Sequence, residues 1–214
     1  MKPEANKFLL LSEATLCSLG LMAFSYFIHY KFPLRLFSFA ALLLSAYIIA
    51  RNLRSLPDLK KSFGESAHER ITMIYLVTGA ATGLSLSLFY RWHLDISLFP
   101  KSIHSFTFIA ALIGCMEEVV FRGYLQESVR SINGSFSIFF STLSHTAYKC
   151  CLFLSPVIVT DIDIGFLALW TFGAGLIFGT IRHLSKSLLP SLSAHVIFDI
   201  LVYAEFVNAP WWVW

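Results

Sequence analysis

Runs of apolar residues close to 20 long recur along this chain, and they narrow its possible folds more than any other feature. Seven blocks can be drawn, roughly Phe8–Tyr30, Leu34–Ala50, Ile71–Tyr90, Ile103–Val129, Ser135–Leu154, Ile164–Ile181 and Leu188–Val207. A helix needs about 20 such residues to cross the hydrocarbon core of a bilayer. Within lipid every backbone N–H and C=O must be satisfied internally, which a helix does by itself. Composition agrees: the 214 residues are 57% hydrophobic and only 14% charged, where a soluble domain carries about 25% charged residues. The expected fold is therefore all-α, a polytopic transmembrane helical bundle with about seven spans. The second block is the shortest, with a tilted or interfacial lie as its alternative to full spanning. No internal repeat or low-complexity tract is visible, so residues 1–214 read as a single integral-membrane domain.

The long polar stretch, Arg51 to Arg70, carries Pro57, Gly64 and mixed charge and reads as a surface loop. Placing the amino terminus in the cytoplasm puts 11 lysines and arginines on that side and 5 on the other. Cytoplasmic loops carry the excess of positive charge, so the amino terminus is expected inside and the carboxyl terminus outside. The closing Trp211, Trp212 and Trp214 suit an interfacial aromatic belt, and Asp161 and Asp163 fall in an outer loop. Lys2 and Lys7 ahead of an apolar run resemble a signal peptide. Glu13 interrupts that run, the block continues to Tyr30, and no small-x-small cleavage site follows, so a retained first helix is expected. The four cysteines (Cys17, Cys115, Cys150, Cys151) lie in apolar blocks without a Cys-x-x-Cys pair, and are read as buried thiols. No basic cluster on polar structure suggests nucleic acid as a partner; the lipid bilayer is the expected surrounding.

Against this apolar background one stretch stands out: Glu117-Glu118-Val119-Val120-Phe121-Arg122. A charge at the centre of a membrane helix costs about 2.5–3.5 kcal/mol or more, so two adjacent glutamates there need partners or a function. On a helix Glu118 and Arg122 lie four apart with the acid N-terminal, the favourable order for pairing. Glu117 is rotated about 100° away. One carboxylate is thus committed and the other available. His145 in the fifth block, and His195 and Asp199 four apart in the seventh, are further polar groups inside apolar sequence. With a rise of about 1.5 Å per residue, Glu117, His145, His195 and Asp199 fall roughly 12–20 Å from the cytoplasmic ends of their helices, in one slab. Such a set can supply a base, hold water and stabilise an oxyanion. In the sixth block Gly175 and Gly179 have the Gly-x-x-x-Gly spacing that lets a neighbouring backbone approach.

The ordered set Glu117-Glu118-x-x-x-Arg122, His145 and His195-x-x-x-Asp199 resembles the CPBP family of intramembrane proteases, also called the Abi or CAAX prenyl protease 2 family. Phe172-x-x-Gly175-x-x-x-Gly179, leading to Leu189-Pro190 and His195-Val196-Ile197-Phe198-Asp199, looks like the family's third and fourth motifs. The resemblance covers about residues 103–205. Where the family's second motif has Phe four residues before its histidine, this chain has Ser141, with Phe140 one place earlier. The resemblance implies peptide-bond hydrolysis within the membrane, on a membrane protein or lipidated peptide. Glu117 would activate water with help from His145, His195 and Asp199 would orient water or stabilise the oxyanion, and Glu118 and Arg122 would complete the catalytic set. Family members are described both as metalloproteases and as glutamate-activated enzymes without metal. The expectation is no required cofactor, with zinc on Glu117, His145 and His195 as the alternative, since no His-Glu-x-x-His motif fixes a zinc geometry. The short chain resembles the bacterial members, which implies an inner-membrane location.

The competing class is non-enzymatic. The same polar groups could pass an ion or proton, although a transporter is expected to show internal repeats. Some relatives are linked to bacteriocin immunity, a role that would survive loss of Glu117.

Overall fold

A computed structural model describes residues 7–53, 69–157 and 162–207. It is helical, with no strand among the described residues. The order is α1 (Lys7–Phe27), α2 (Arg35–Asn52), α3 (Glu69–His93), α4 (Phe106–Glu118), a π-helical stretch (Val119–Leu125), a short α5 (Gln126–Val129), α6 (Gly134–Leu154), α7 (Ile164–Ser185) and α8 (Leu189–Val202). Counting α4 to α5 as one run, the described residues form seven helices, one in each of the seven apolar blocks. By length and apolar content four of them can cross a bilayer: α1, α2, the Met73–His93 part of α3, and α7. The short second block is among these four. α8, at 14 residues, covers only about 21 Å. Large apolar side chains such as Leu43, Phe108 and Leu169 point outward, as they do where lipid replaces water as the surrounding. The chain is an integral membrane protein.

The chain divides into two interleaved units, Met1–Ser62 with Tyr124–Leu176 and Phe63–Gly123 with Ile177–Trp214. In the first, α1 and α2 pack through small polar residues. Ser38 Oγ donates to Phe24 O at 2.9 Å and Ser45 Oγ to Cys17 O at 3.3 Å. Gly20 lets the Ser45 side chain and the Ala41 carbonyl come close. Glu13, the acid interrupting the first block, accepts from Arg51 and from Asn52 Nδ2. Asn52 also donates to Tyr124 Oη at 3.0 Å. An acid in an apolar helix is tolerated when paired in this way. α6 begins with Asn133, whose side chain accepts from Phe136 N and so satisfies one open N–H of the first turn.

In the second unit α8 packs against α3 and α4. A Cβ on Gly79 would strike the Pro190 carbonyl, and one on Gly83 would lie 2.9 Å from Ala194 C and Cα. Two glycines four apart thus meet two α8 residues four apart, backbone against backbone. The Gly-x-x-x-Gly spacing read at Gly175 and Gly179 of α7 recurs on α3. Gly79 and Gly83, with the same spacing, make the approach to α8. Buried Arg91, in the last turn of α3, donates to Ser97 O, Leu201 O and Glu205 Oε2 at 2.7–2.8 Å. His104 N donates to Ala204 O at 2.9 Å and ties the start of α4 to the end of α8.

Other expectations meet the structure unevenly. Block four, expected as a continuous α-helix, changes to π-helix at Val119. Val119, Val120 and Phe121 are poor α-formers, but the wider turn leaves no mark in apolar periodicity. Asp163 caps α7, accepting from Phe166 N at 3.0 Å, and so belongs to a helix start as well as to the loop. Most of the Arg51–Arg70 stretch, Asp161 and the terminal tryptophans lie outside the described residues.

Candidate active site

α8 carries His195 and Asp199 on one face, and α4 carries Glu117 and Glu118 at its C-terminal end. The Gly79 and Gly83 contacts seat α8 by Pro190 and Ala194, so the helix is fixed one residue before His195. Every member of the resulting cluster is buried: Glu118 and Arg122 are fully enclosed, and Glu117, His195 and Asp199 are 5%, 7% and 5% exposed.

Glu118 Oε1 is the hub. Arg122 Nη1 lies 3.3 Å away, the pair expected from their four-residue spacing. The same oxygen is 3.0 Å from His195 Nδ1. A carboxylate held beside a guanidinium only accepts, so Nδ1 carries the proton and donates. That bond selects the tautomer and leaves Nε2 as the working nitrogen. Nε2 lies 3.8 Å from Glu117 Oε2 and 3.7 Å from Asp199 Oδ2. Phe178 of α7 covers the site from another side, its ring centroid 5.4 Å from that of His195 and 6.0 Å from Arg122 Cζ. An apolar wall strengthens every charge interaction within.

Five of the six expected site residues, Glu117, Glu118, Arg122, His195 and Asp199, are thus gathered in the second unit. His145 is placed in the first unit, buried on α6, with its ring near that of Tyr148 one turn on. Sequence reasoning assigned Glu118 to Arg122 and missed its bond to His195. It also missed Gly114, where a Cβ would collide with Asp199 Oδ2 and lie 3.2 Å from His195 Cδ2. Gly114 is four residues before Glu118, one turn away on the same face, a spacing that could have drawn attention to it.

The arrangement can perform acid–base chemistry. A singly oriented imidazole faces two carboxyl groups at 3.8 and 3.7 Å, three polar groups converging on one point. Among the described residues no group of three or more His, Cys, Asp or Glu side chains is disposed to hold a metal ion.

No curated protein and no solved structure matches the chain. A family model does: residues 99–201 match the one described as type II CAAX prenyl endopeptidase Rce1-like. That segment contains all six expected site residues, and over it the chain is similar to this family of membrane proteases.

Proposed function

We propose that the chain hydrolyses a peptide bond in a membrane protein or lipidated peptide by means of a water activated at Glu117. The observation that carries this reading is the orientation of His195. Glu118 holds its Nδ1, and its Nε2 is turned toward Glu117 and Asp199. Glu117 takes a proton from water, and the hydroxide forms a bond to the carbonyl carbon. The carbonyl electron pair moves to oxygen, while His195 Nε2, as an acceptor, and Asp199 keep the attacking water aligned. As the C–N bond breaks, the proton on Glu117 passes to the departing amine. Arg122 holds Glu118 in place.

The reaction as written needs no metal. Elemental analysis of purified, active protein tests this: stoichiometric zinc whose removal abolishes cleavage overturns it. The location proposed is a bacterial inner membrane.

The deciding experiment compares wild-type protein with Glu117→Gln. The amide keeps the shape of the side chain and removes its basicity. Melting in detergent should stay within about 1 kcal/mol of wild type, the scale of a tolerated change, while cleavage of a farnesylated CAAX peptide carrying a fluorophore–quencher pair is abolished. A folded Glu117→Gln protein that still cleaves overturns the assignment of the base. Comparing membrane proteomes of cells with wild-type and Glu117→Ala protein would identify the natural substrate by its missing product.

A further inference from the structure

Asp199 reaches His195 through a gap in α4. Its Oδ2, the atom 3.7 Å from His195 Nε2, occupies the space that a side chain at position 114 would fill. A Cβ built there would overlap Oδ2 and stand 3.3 Å from Asp199 Cγ and 3.2 Å from His195 Cδ2. Neither helix can easily give way. The α8 backbone is pressed against α3 at Gly79 and Gly83, and its end is tied to the start of α4 through Ala204 and His104. An added methyl group at position 114 would therefore be accommodated by the carboxylate, which can swing about its own two side-chain bonds. Gly114 lies three residues before Glu117 and four before Glu118, on the face both present to α8.

We propose that Gly114 is a positioning residue: its missing side chain is the slot that seats the Asp199 carboxylate against the Nε2 edge of His195. Asp199 and Glu117 then flank one nitrogen, and the slot sets that geometry without touching substrate. The contact stands on the packing alone; its consequence for turnover rests on the protease reading above.

Helix propensity makes the sign of the test informative, because glycine to alanine inside a helix normally stabilises. The experiment is a cycle of four proteins: wild type, Gly114→Ala, Asp199→Ala and the double variant. Gly114→Ala should lower the melting temperature in detergent by about 4 °C or more. In the Asp199→Ala background the same substitution should leave it unchanged or raise it. With the farnesylated peptide, Gly114→Ala should lower kcat by about 10²-fold, the scale of a 1 Å misplacement, with KM within about twofold. In the Asp199→Ala background it should change kcat by no more than about twofold. Equal losses in both backgrounds, or wild-type melting and kcat in Gly114→Ala, overturn the proposal. If Gly114→Ala does not fold, a folded double variant supports the slot and an unfolded one overturns it. A wild-type protein that leaves the peptide uncut counts against the protease reading, and the melting cycle then decides the slot without substrate.

Discussion

Glu118 Oε1 stands 3.0 Å from His195 Nδ1, joining two residues that are 77 positions apart in the chain. Arg122 Nη1 approaches the same oxygen at 3.3 Å. The adjacent glutamates therefore divide their work. Glu118 is enclosed and paired at Nδ1, whereas Glu117, one residue earlier, approaches the imidazole at Nε2.

This division predicts different behaviour for stability and activity at Glu118. Glu118→Ala leaves the buried Arg122 guanidinium without its carboxylate, a loss of about 3–5 kcal/mol for a buried pair. Adding Arg122→Ala should recover part of that stability, because no charge is then left uncompensated. Activity should stay low in both, since His195 has lost the acceptor that orients it. Paired melting and peptide-cleavage measurements check this, and recovery of activity along with stability overturns the orienting role.

Glycines separate by what they face. A Cβ at Gly83 meets the Ala194 backbone at 2.9 Å, whereas one at Gly173 meets nothing within 4 Å. Gly83→Ala should cost about 1–3 kcal/mol through overpacking and lower activity by displacing the neighbouring His195. Gly173→Ala should be neutral or stabilising by up to about 1 kcal/mol, the propensity difference. Thermal melts of the two variants decide between them; equal destabilisation at both sites would remove the backbone seating from the account of the site.

These contrasts explain which parts of the protein were legible in its sequence. The helical spans were, because lipid demands long uncharged runs and the chain supplies them. The Glu118–Arg122 pair was, because four-residue spacing on a helix is a local property. The bond from His195 to Glu118 was not, since it exists only once α8 has docked on α3 and α4. The Gly79–Gly83 spacing that permits this docking is as visible in the sequence as Gly175–Gly179. Nothing local says which helix such a pair will meet. The π-helical turn at Val119–Leu125 also escaped, because one widened turn leaves an apolar helix apolar.

Orientation in the membrane is open to direct labelling. The 11-to-5 excess of lysine and arginine predicts that the amino terminus and the Arg51–Arg70 stretch face the cytoplasm and Asp163 the other side. Single-cysteine variants at Ser55 and Asp163 should react with an impermeant maleimide from opposite faces of sealed vesicles. Labelling of both from one face overturns the seven-span topology.

The last prediction concerns the far end of α8, where Arg91 joins three segments. Its guanidinium donates to Leu201 O near the end of α8, to Ser97 O in the connection before α4, and to Glu205 Oε2. Glu205 Oε1 in turn accepts from Lys101 N at 2.9 Å. The hydrogen bond from Arg91, then that from Lys101 N, hold the Glu205 carboxyl below the usual carboxylate range. A carboxyl whose pKa is lower folded than unfolded adds stability above its unfolded value, about 4.3 for glutamate. That contribution is lost as pH falls from there through the folded value, because the unfolded chain then binds the proton more readily. Wild-type protein in detergent should therefore lose melting temperature progressively as pH falls below about 5. Glu205→Gln keeps an acceptor for Arg91 but has no proton to take up, so it should melt lower than wild type at pH 7 and show a shallower acid slope. Arg91→Met removes the donor to all three segments and should lower the melting temperature at pH 7 by more than Glu205→Gln does. It should also lower cleavage, because the α8 end that Arg91 holds is one turn beyond Asp199. Melting curves across pH for the three proteins make the comparison. An acid slope in Glu205→Gln as steep as in wild type would assign the pH dependence to other carboxylates and remove Glu205 from the clamp.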